Sequence, residues 1–203
     1  MLALTVCALL FTFADTAMAQ VRPAAGKGAA SAKAVLRIKD VTKPGKPCLV
    51  ASPDIDGKVK SPGRSNRNKK WAMFEVQYDT APEWIDEATF TFYVLCQDAK
   101  TKEFHFFQTA VTYLDIAKGD HGAAVLLPPN AVARYGEPIS FGVEVSVNGE
   151  KAAAQSVGQG GENWWEASLD KLGDRVKRHS GYLQDRSKTP FGVTFIDEYE
   201  AVR

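Results

Sequence analysis

Between residues 35 and 158 the chain alternates apolar and polar positions, which is the two-residue period of a half-buried β-strand. About seven or eight such segments are separated by turns rich in Pro, Gly and Asn, and no helical segments alternate with them. Residues 88–98 and 104–116 predict a long hairpin, and Asn148-Gly149 predicts a type I′ turn in another. One face of the first hairpin strand carries Phe90, Phe92, Val94 and Cys96. The pattern predicts a mainly β protein, an antiparallel β-sandwich with immunoglobulin-like topology.

A helical period replaces this alternation after the glycine-rich residues 158–161. Apolar residues then form one helical stripe, at Trp165, Leu169, Leu172 and Val176. Asn163 is placed to cap the helix, with Glu166 three residues later as in a capping box. We expect a C-terminal helix at about 163–180 that covers an open face or edge of the sandwich.

Only one of the two adjacent tryptophans belongs to the apolar stripe of the predicted helix. Trp165 belongs to the stripe and is predicted to be buried against the sheet. Trp164 lies beside the stripe, where it either packs against the start of the helix or lies on the surface. The apolar residues 191–196 predict a final edge strand that returns to the sandwich.

The N-terminus has the pattern of a secretory signal peptide. Residues 2–14 are an apolar run too short to cross a bilayer comfortably, and the small residues at 17–19 predict cleavage before Gln20. The alternative is an uncleaved anchor. We expect a signal peptide at 1–19, a flexible linker at 20–34 and one domain at 35–203. The mature protein would be secreted, periplasmic or on the cell surface, with no membrane span after cleavage.

Charge excludes one class of partner and suggests another. The chain has 25 Lys and Arg against 24 Asp and Glu. This near balance lacks the excess of positive charge that is typical of proteins that bind nucleic acid. Six cations nevertheless lie in one Pro-, Gly- and Ser-rich loop, at Lys58, Lys60, Arg64, Arg67, Lys69 and Lys70. They form either a solvated loop or a docking patch for an acidic partner such as a sulfated glycan.

The cysteines and histidines leave little scope for metal chemistry. In an oxidising compartment Cys48 and Cys96 could form a disulfide, and the alternative is two separate buried thiols. The three histidines have no spacing typical of metal ligands. We predict no metal and no cofactor.

Sequence motifs of catalysis are missing as well. There is no G-x-S-x-G, H-E-x-x-H, P-loop or Rossmann glycine pattern. Neighbouring acidic residues do not establish the two facing carboxylates that a glycosidase needs. We therefore predict no catalytic residues and a protein that is not an enzyme.

Three segments carry a resemblance: PPNAVARYG (128–136), NWWEASLDKL (163–172) and RSKTPFGVTFIDEYEAV (186–202). They resemble secreted immunoglobulin-like proteins encoded in type IV pilus-like gene clusters of mucin-degrading gut bacteria. The resemblance implies a sandwich similar to archaellum stator domains and a role in surface appendages or host contact. Pilins keep a long N-terminal helix, whereas this chain has a short cleavable signal, which favours an accessory role.

Two functions follow as expectations. The first is an exported, non-enzymatic interaction or structural module that binds protein partners of the cell envelope or pilus, or further copies of itself. The second is a carbohydrate-binding module for mucin-type or sulfated glycans, in which Trp164, Trp71 and Trp84 would supply stacking surfaces.

Overall fold

The computed structural model describes residues 35–53, 70–193 and 200–203, and all structural statements here concern those residues. The predicted signal peptide and linker lie outside the described residues, as do five of the six loop cations. Expectations about those segments therefore stay predictions. Lys70, the sixth cation, is described and is exposed at the start of a strand.

Strands dominate the described chain. They are β1 (Leu36–Val41), β2 (Leu49–Ala51), β3 (Lys70–Gln97), β4 (Phe104–Leu127), β5 (Glu137–Val147), β6 (Glu150–Gly158), β7 (Val176–His179), β8 (Gln184–Asp185) and β9 (Ala201–Val202). Two α-helices are present in these residues, α1 (Pro129–Tyr135) and α2 (Trp164–Leu172). Short 3₁₀ turns lie at Lys46–Cys48, Gly173–Arg175, Arg186–Lys188 and Pro190–Val193.

One long hairpin, β3 with β4, organises the sheet. The main strand order is β6-β5-β3-β4-β7, and β1 and β2 also pair with β3. The register between β3 and β4 shifts between Thr80 and Trp84. Before this shift β3 pairs with β1 and β2, and after it β3 pairs with β5.

The sheet folds over at this irregularity so that its two halves face each other. Phe74, from the first half of β3, stacks on Phe141 of β5 with ring centroids 4.9 Å apart. Tyr78 and Phe90, from opposite halves of β3, also lie 4.9 Å apart. The predicted mainly β, antiparallel class is confirmed. The two layers are parts of one continuous sheet, and β7, which runs parallel to β4, is the exception to antiparallel pairing.

The structure confirms the strand face and the hairpin turn that the sequence predicted. The predicted face of β3 is buried in the core between the layers, at Phe90, Phe92, Val94 and Cys96. Asn148 and Gly149 both have positive φ, as a type I′ turn between β5 and β6 requires. The alternation therefore placed these strands and their inward faces correctly.

The C-terminal helix is shorter than predicted. It ends at Leu172, and Gly173 follows in the left-handed region with φ of 51°. Val176, assigned above to the helical stripe, instead begins β7, which lies beside the start of β4. A helix through about residue 180 is wrong, because pairing with the edge of β4 replaces helical hydrogen bonds.

The final strand also differs from the prediction. Residues 190–193 form a 3₁₀ turn rather than a strand, and 194–196 lie outside the described residues. The return to the sheet is made by β9, which pairs with Tyr113 and Leu114 of β4. An ion pair of 2.8 Å between Arg203 and Glu87 accompanies it.

None of the helices in the described ranges is long and apolar enough to cross a membrane.

Candidate functional site: the sheet face beneath helix α2

At one end of the hairpin, β3 and β4 are apolar on both faces. Phe92 and Val94 point into the core between the layers, whereas Tyr93 and Leu95 join a second apolar cluster. Alternation along the strand requires this division, because neighbouring side chains point to opposite faces. Helix α2 covers the second face, and the cluster beneath it contains Leu95, Phe106, Trp164, Trp165 and Leu169.

Trp165 lies flat against this face of the sheet. Its ring stacks on Tyr93 with centroids 4.6 Å apart and planes only 8° from parallel. The contact depends on Gly142 of β5, where an added Cβ would lie 2.2 Å from Trp165 Cζ3. The ring is 8% exposed, so the predicted burial of Trp165 is confirmed.

Trp164 is more deeply buried than its neighbour, with 1% of its surface exposed. Its indole N–H donates to the carbonyl of Phe141 at 3.4 Å, and its ring meets Phe106 edge-on at 6.1 Å. A surface position for Trp164, and with it a role as a sugar-stacking platform, is wrong. The first turn of α2 contacts strand residues on two sides, so the buried arc is wider than a single helical stripe.

A half-open cavity of about 280 Å³ lies between α2 and the sheet. Its walls are almost wholly apolar, formed by Leu95, Phe104, Ile139, Trp164, Leu169 and Leu172. The polar residues on its lining are Gln159 and Lys171. This size is at the small end of pockets that hold organic ligands, about 300–1,000 Å³.

Cations border this apolar face. The Arg175 guanidinium lies 5.7 Å above the centre of the Phe104 ring, and Arg178 lies 5.3 Å above Phe106. Such placements are favourable because the face of an aromatic ring carries negative charge. Sequence reasoning missed this group, because only the parallel pairing of β7 with β4 brings Arg175 and Arg178 over the two phenylalanines.

Folding also brings together two histidines that lie 74 residues apart. His105 Nδ1 and His179 Nε2 form a hydrogen bond of 3.0 Å. Burial lowers the pKa of His105 and, together with the charge of His105, that of His179. The ring of Tyr135 packs on His179 at 4.4 Å. One imidazole must donate and the other must accept, so this bond needs at least one neutral ring.

We expect the histidine pair to make stability depend on pH. The folded pKa of both groups lies below the ordinary value of 6.5, so the unfolded chain takes up protons first as the pH falls. The free energy of unfolding should therefore be highest above about pH 7 and decrease as the pH drops through 6.5 and below.

Urea melts across this range check the prediction with the variant His105→Gln/His179→Gln. The slope of stability against pH should become flatter in the variant, whatever its absolute stability. An unchanged slope would show that the histidine pair does not cause the pH dependence of stability.

The two cysteines that the structure describes, Cys48 and Cys96, are free thiols. Cys48 and Cys96 are both buried in the core between the layers, and the Cys48 thiol donates to the carbonyl of Gly45 at 3.0 Å. Burial raises the pKa of Cys48 to about 11 and that of Cys96 still further. The two thiols are not bonded to each other here, and the charge of Cys48 contributes to the raised pKa of Cys96, so the disulfide between them stays a prediction.

The described residues define a mainly β protein, a folded antiparallel sheet with a helix packed on its second face. They contain no group of three or more His, Cys, Asp or Glu side chains that could hold a metal ion.

A family model matches residues 29–203, and the chain belongs to that family. A crystal structure of a protein from Akkermansia muciniphila, a mucin-degrading gut bacterium, is similar with a TM-score of 0.62. The two sequences are 24% identical, and the match covers 83% of this chain and 94% of the other. At this identity the likeness shows a shared fold. No curated protein matches this chain.

Proposed function

We propose that the protein is an exported, non-enzymatic interaction module that works with a type IV pilus-like or other cell-surface assembly. The observation that carries the proposal is Trp84, whose side chain is 62% exposed. A large aromatic ring on the surface contributes nothing to the core, and such rings are enriched at the centres of protein interfaces.

The fold holds Trp84 in a fixed place. It pairs with Ala117 directly after the irregularity at which β3 bends, so it lies in a paired strand and not in a loop. Glu83 and Asp86 beside it are exposed. We infer that the partner offers an apolar pocket for the indole ring and cations around it.

The carbohydrate-binding module is the second candidate, and the same residue favours it. Trp164 is buried, and Trp71 is half-buried with its indole N–H donating to Ser52 and its ring edge-on to Phe191. Of the three tryptophans named for glycan stacking, only Trp84 offers most of its ring. The comparisons with known proteins favour neither function, because they concern the fold.

Trp84→Ala should abolish binding to the envelope partner while leaving the fold intact. Cross-linking in the native cell, purification through a tag on this chain and quantitative mass spectrometry would measure the loss. The free energy of unfolding should change by under about 0.5 kcal/mol, as at other surface positions. Val193→Ala is the matched control, because Val193 is 60% exposed but is not aromatic.

Two outcomes would overturn the proposal. One is recovery of the same cross-linked proteins with Trp84→Ala as with the wild type. The other is saturable binding to mucin-type or sulfated glycans on an array, lost in Trp84→Ala, which would put the carbohydrate-binding module first.

A further inference from the structure

We propose that the cavity beneath α2 binds a monomeric amphipathic anion. Its apolar tail would occupy the space between α2 and the sheet, and its carboxylate, sulfate or phosphate group would lie at the mouth beside Lys171 and Arg175. This inference rests on the cavity alone and does not depend on Trp84 or on the proposed interaction with a surface assembly.

The walls determine the chemistry of the tail. Aliphatic and aromatic side chains from β3, β4, β5 and α2 surround the space, among them Leu95, Phe104 and Ile139. Among the described residues that line it there is no carboxylate. Each methylene group buried there strengthens binding about fourfold, because it is removed from water, whereas a polar ligand would lose hydrogen bonds to water.

The volume sets the length of the tail. A methylene group is about as large as a water molecule, whose share of liquid volume is about 30 Å³. A cavity of about 280 Å³ therefore holds a chain of about eight to ten carbons. Because the cavity is open on one side, the polar end of such a ligand reaches the mouth.

The charged residues near the opening of the cavity favour an anionic head group. Lys171 lines the cavity, and the Arg175 guanidinium stands over Phe104, which is one of its walls. Neither cation forms an ion pair with a carboxylate among the described residues. Nearby Lys177, in contrast, is paired with Glu103 at 2.7 Å. Lys171 on the lining and Arg175 over a wall residue, both without an ion pair among the described residues, complement the charge of an anionic head group.

Isothermal titration with three ten-carbon probes tests the proposal: decanoate, decanol and decyltrimethylammonium, each below its micelle concentration. We expect decanoate to bind saturably at one site, decanol about fivefold or more weakly, and the cation not measurably. Across octanoate, decanoate and dodecanoate, affinity should rise with each methylene up to about ten carbons and then level off.

Surface variants identify the binding groups without disturbing the fold. Lys171→Gln and Arg175→Gln should each weaken decanoate binding about three- to tenfold, as loss of one charge-assisted contact does. Lys100→Gln, which removes an exposed cation from the turn between β3 and β4, should leave it unchanged. Thermal melts confirm that each variant is folded.

Several results would overturn the proposal. They are no saturable binding of decanoate, equal binding of all three ten-carbon probes, or equal weakening by Lys100→Gln. Co-sedimentation with phosphatidylglycerol vesicles without binding of monomeric decanoate would show instead that the cations meet a membrane surface and that the cavity is not a ligand site.

Discussion

Trp164→Ala should lower the free energy of unfolding by about 3–5 kcal/mol, the loss typical of a large aromatic removed from a core. The ring is almost fully buried, it contacts Phe106, and its N–H donates to the carbonyl of Phe141. Truncation would enlarge the cavity beneath α2 and leave that carbonyl without this donor. Urea melts followed by circular dichroism measure the loss.

The neighbouring tryptophans supply the comparison. Trp165→Ala should cost no more than Trp164→Ala, because Trp165 keeps more exposed surface. Trp84→Ala should leave the free energy of unfolding in the same melts nearly unchanged, since its ring is mostly in solvent. A loss at Trp164 of less than about 1 kcal/mol would mean that its ring is exposed and that α2 is turned the other way.

Gly142→Ala should displace helix α2, although it adds one methyl group. That methyl would lie 2.2 Å from Cζ3 and 2.5 Å from Cε3 of the Trp165 ring, closer than real Cβ contacts come. Gly142 is not among the glycines with positive φ, so strain in the backbone is not the reason. We expect a loss of about 1–3 kcal/mol from overpacking, with a changed near-ultraviolet circular dichroism signal from the tryptophans.

A double variant separates this clash from other effects of the substitution. Trp165→Leu should cost much less in the Gly142→Ala background than in the wild type, because the smaller side chain makes room for the methyl group. Ser146→Ala, on the same strand, is the control and should be nearly neutral. Additive losses for Gly142→Ala and Trp165→Leu would show that the ring does not lie over Gly142.

The sequence also explains why some elements were predictable. Strands β3 and β4 alternate apolar and polar residues over much of their length, and Asn148-Gly149 is a turn signal that acts within a few residues. Such signals depend on local backbone preferences and on which side chains avoid water. The class of fold and the buried positions of Phe90, Phe92 and Val94 followed from them without knowledge of any distant contact.

Candidate functional residues were harder to find. Trp164 lies beside the apolar stripe of α2, so the sequence left open whether it packs against the start of the helix or lies on the surface. The loop cations were prominent because they are close in sequence, whereas Lys171, Arg175 and the walls of the cavity come from five separate elements. His105 and His179 carry no spacing signal at all, since β7 and β4 meet only after the chain has folded back.

By itself, the sequence determined the mainly β, antiparallel class, the hairpin registers near their turns and the inward faces of the long strands, because alternation and turn chemistry are local. Only the tertiary structure decided where the sheet bends over itself, where α2 ends, that Trp164 is buried as well as Trp165, and that a cation-bordered cavity remains beneath them. Those outcomes depend on contacts between residues far apart in the chain. Hydrogen bonding at the edge of β4 overrides the local helical period after Leu172, and the contacts of Trp164 with Phe106 and Phe141 bury a ring beside the predicted stripe.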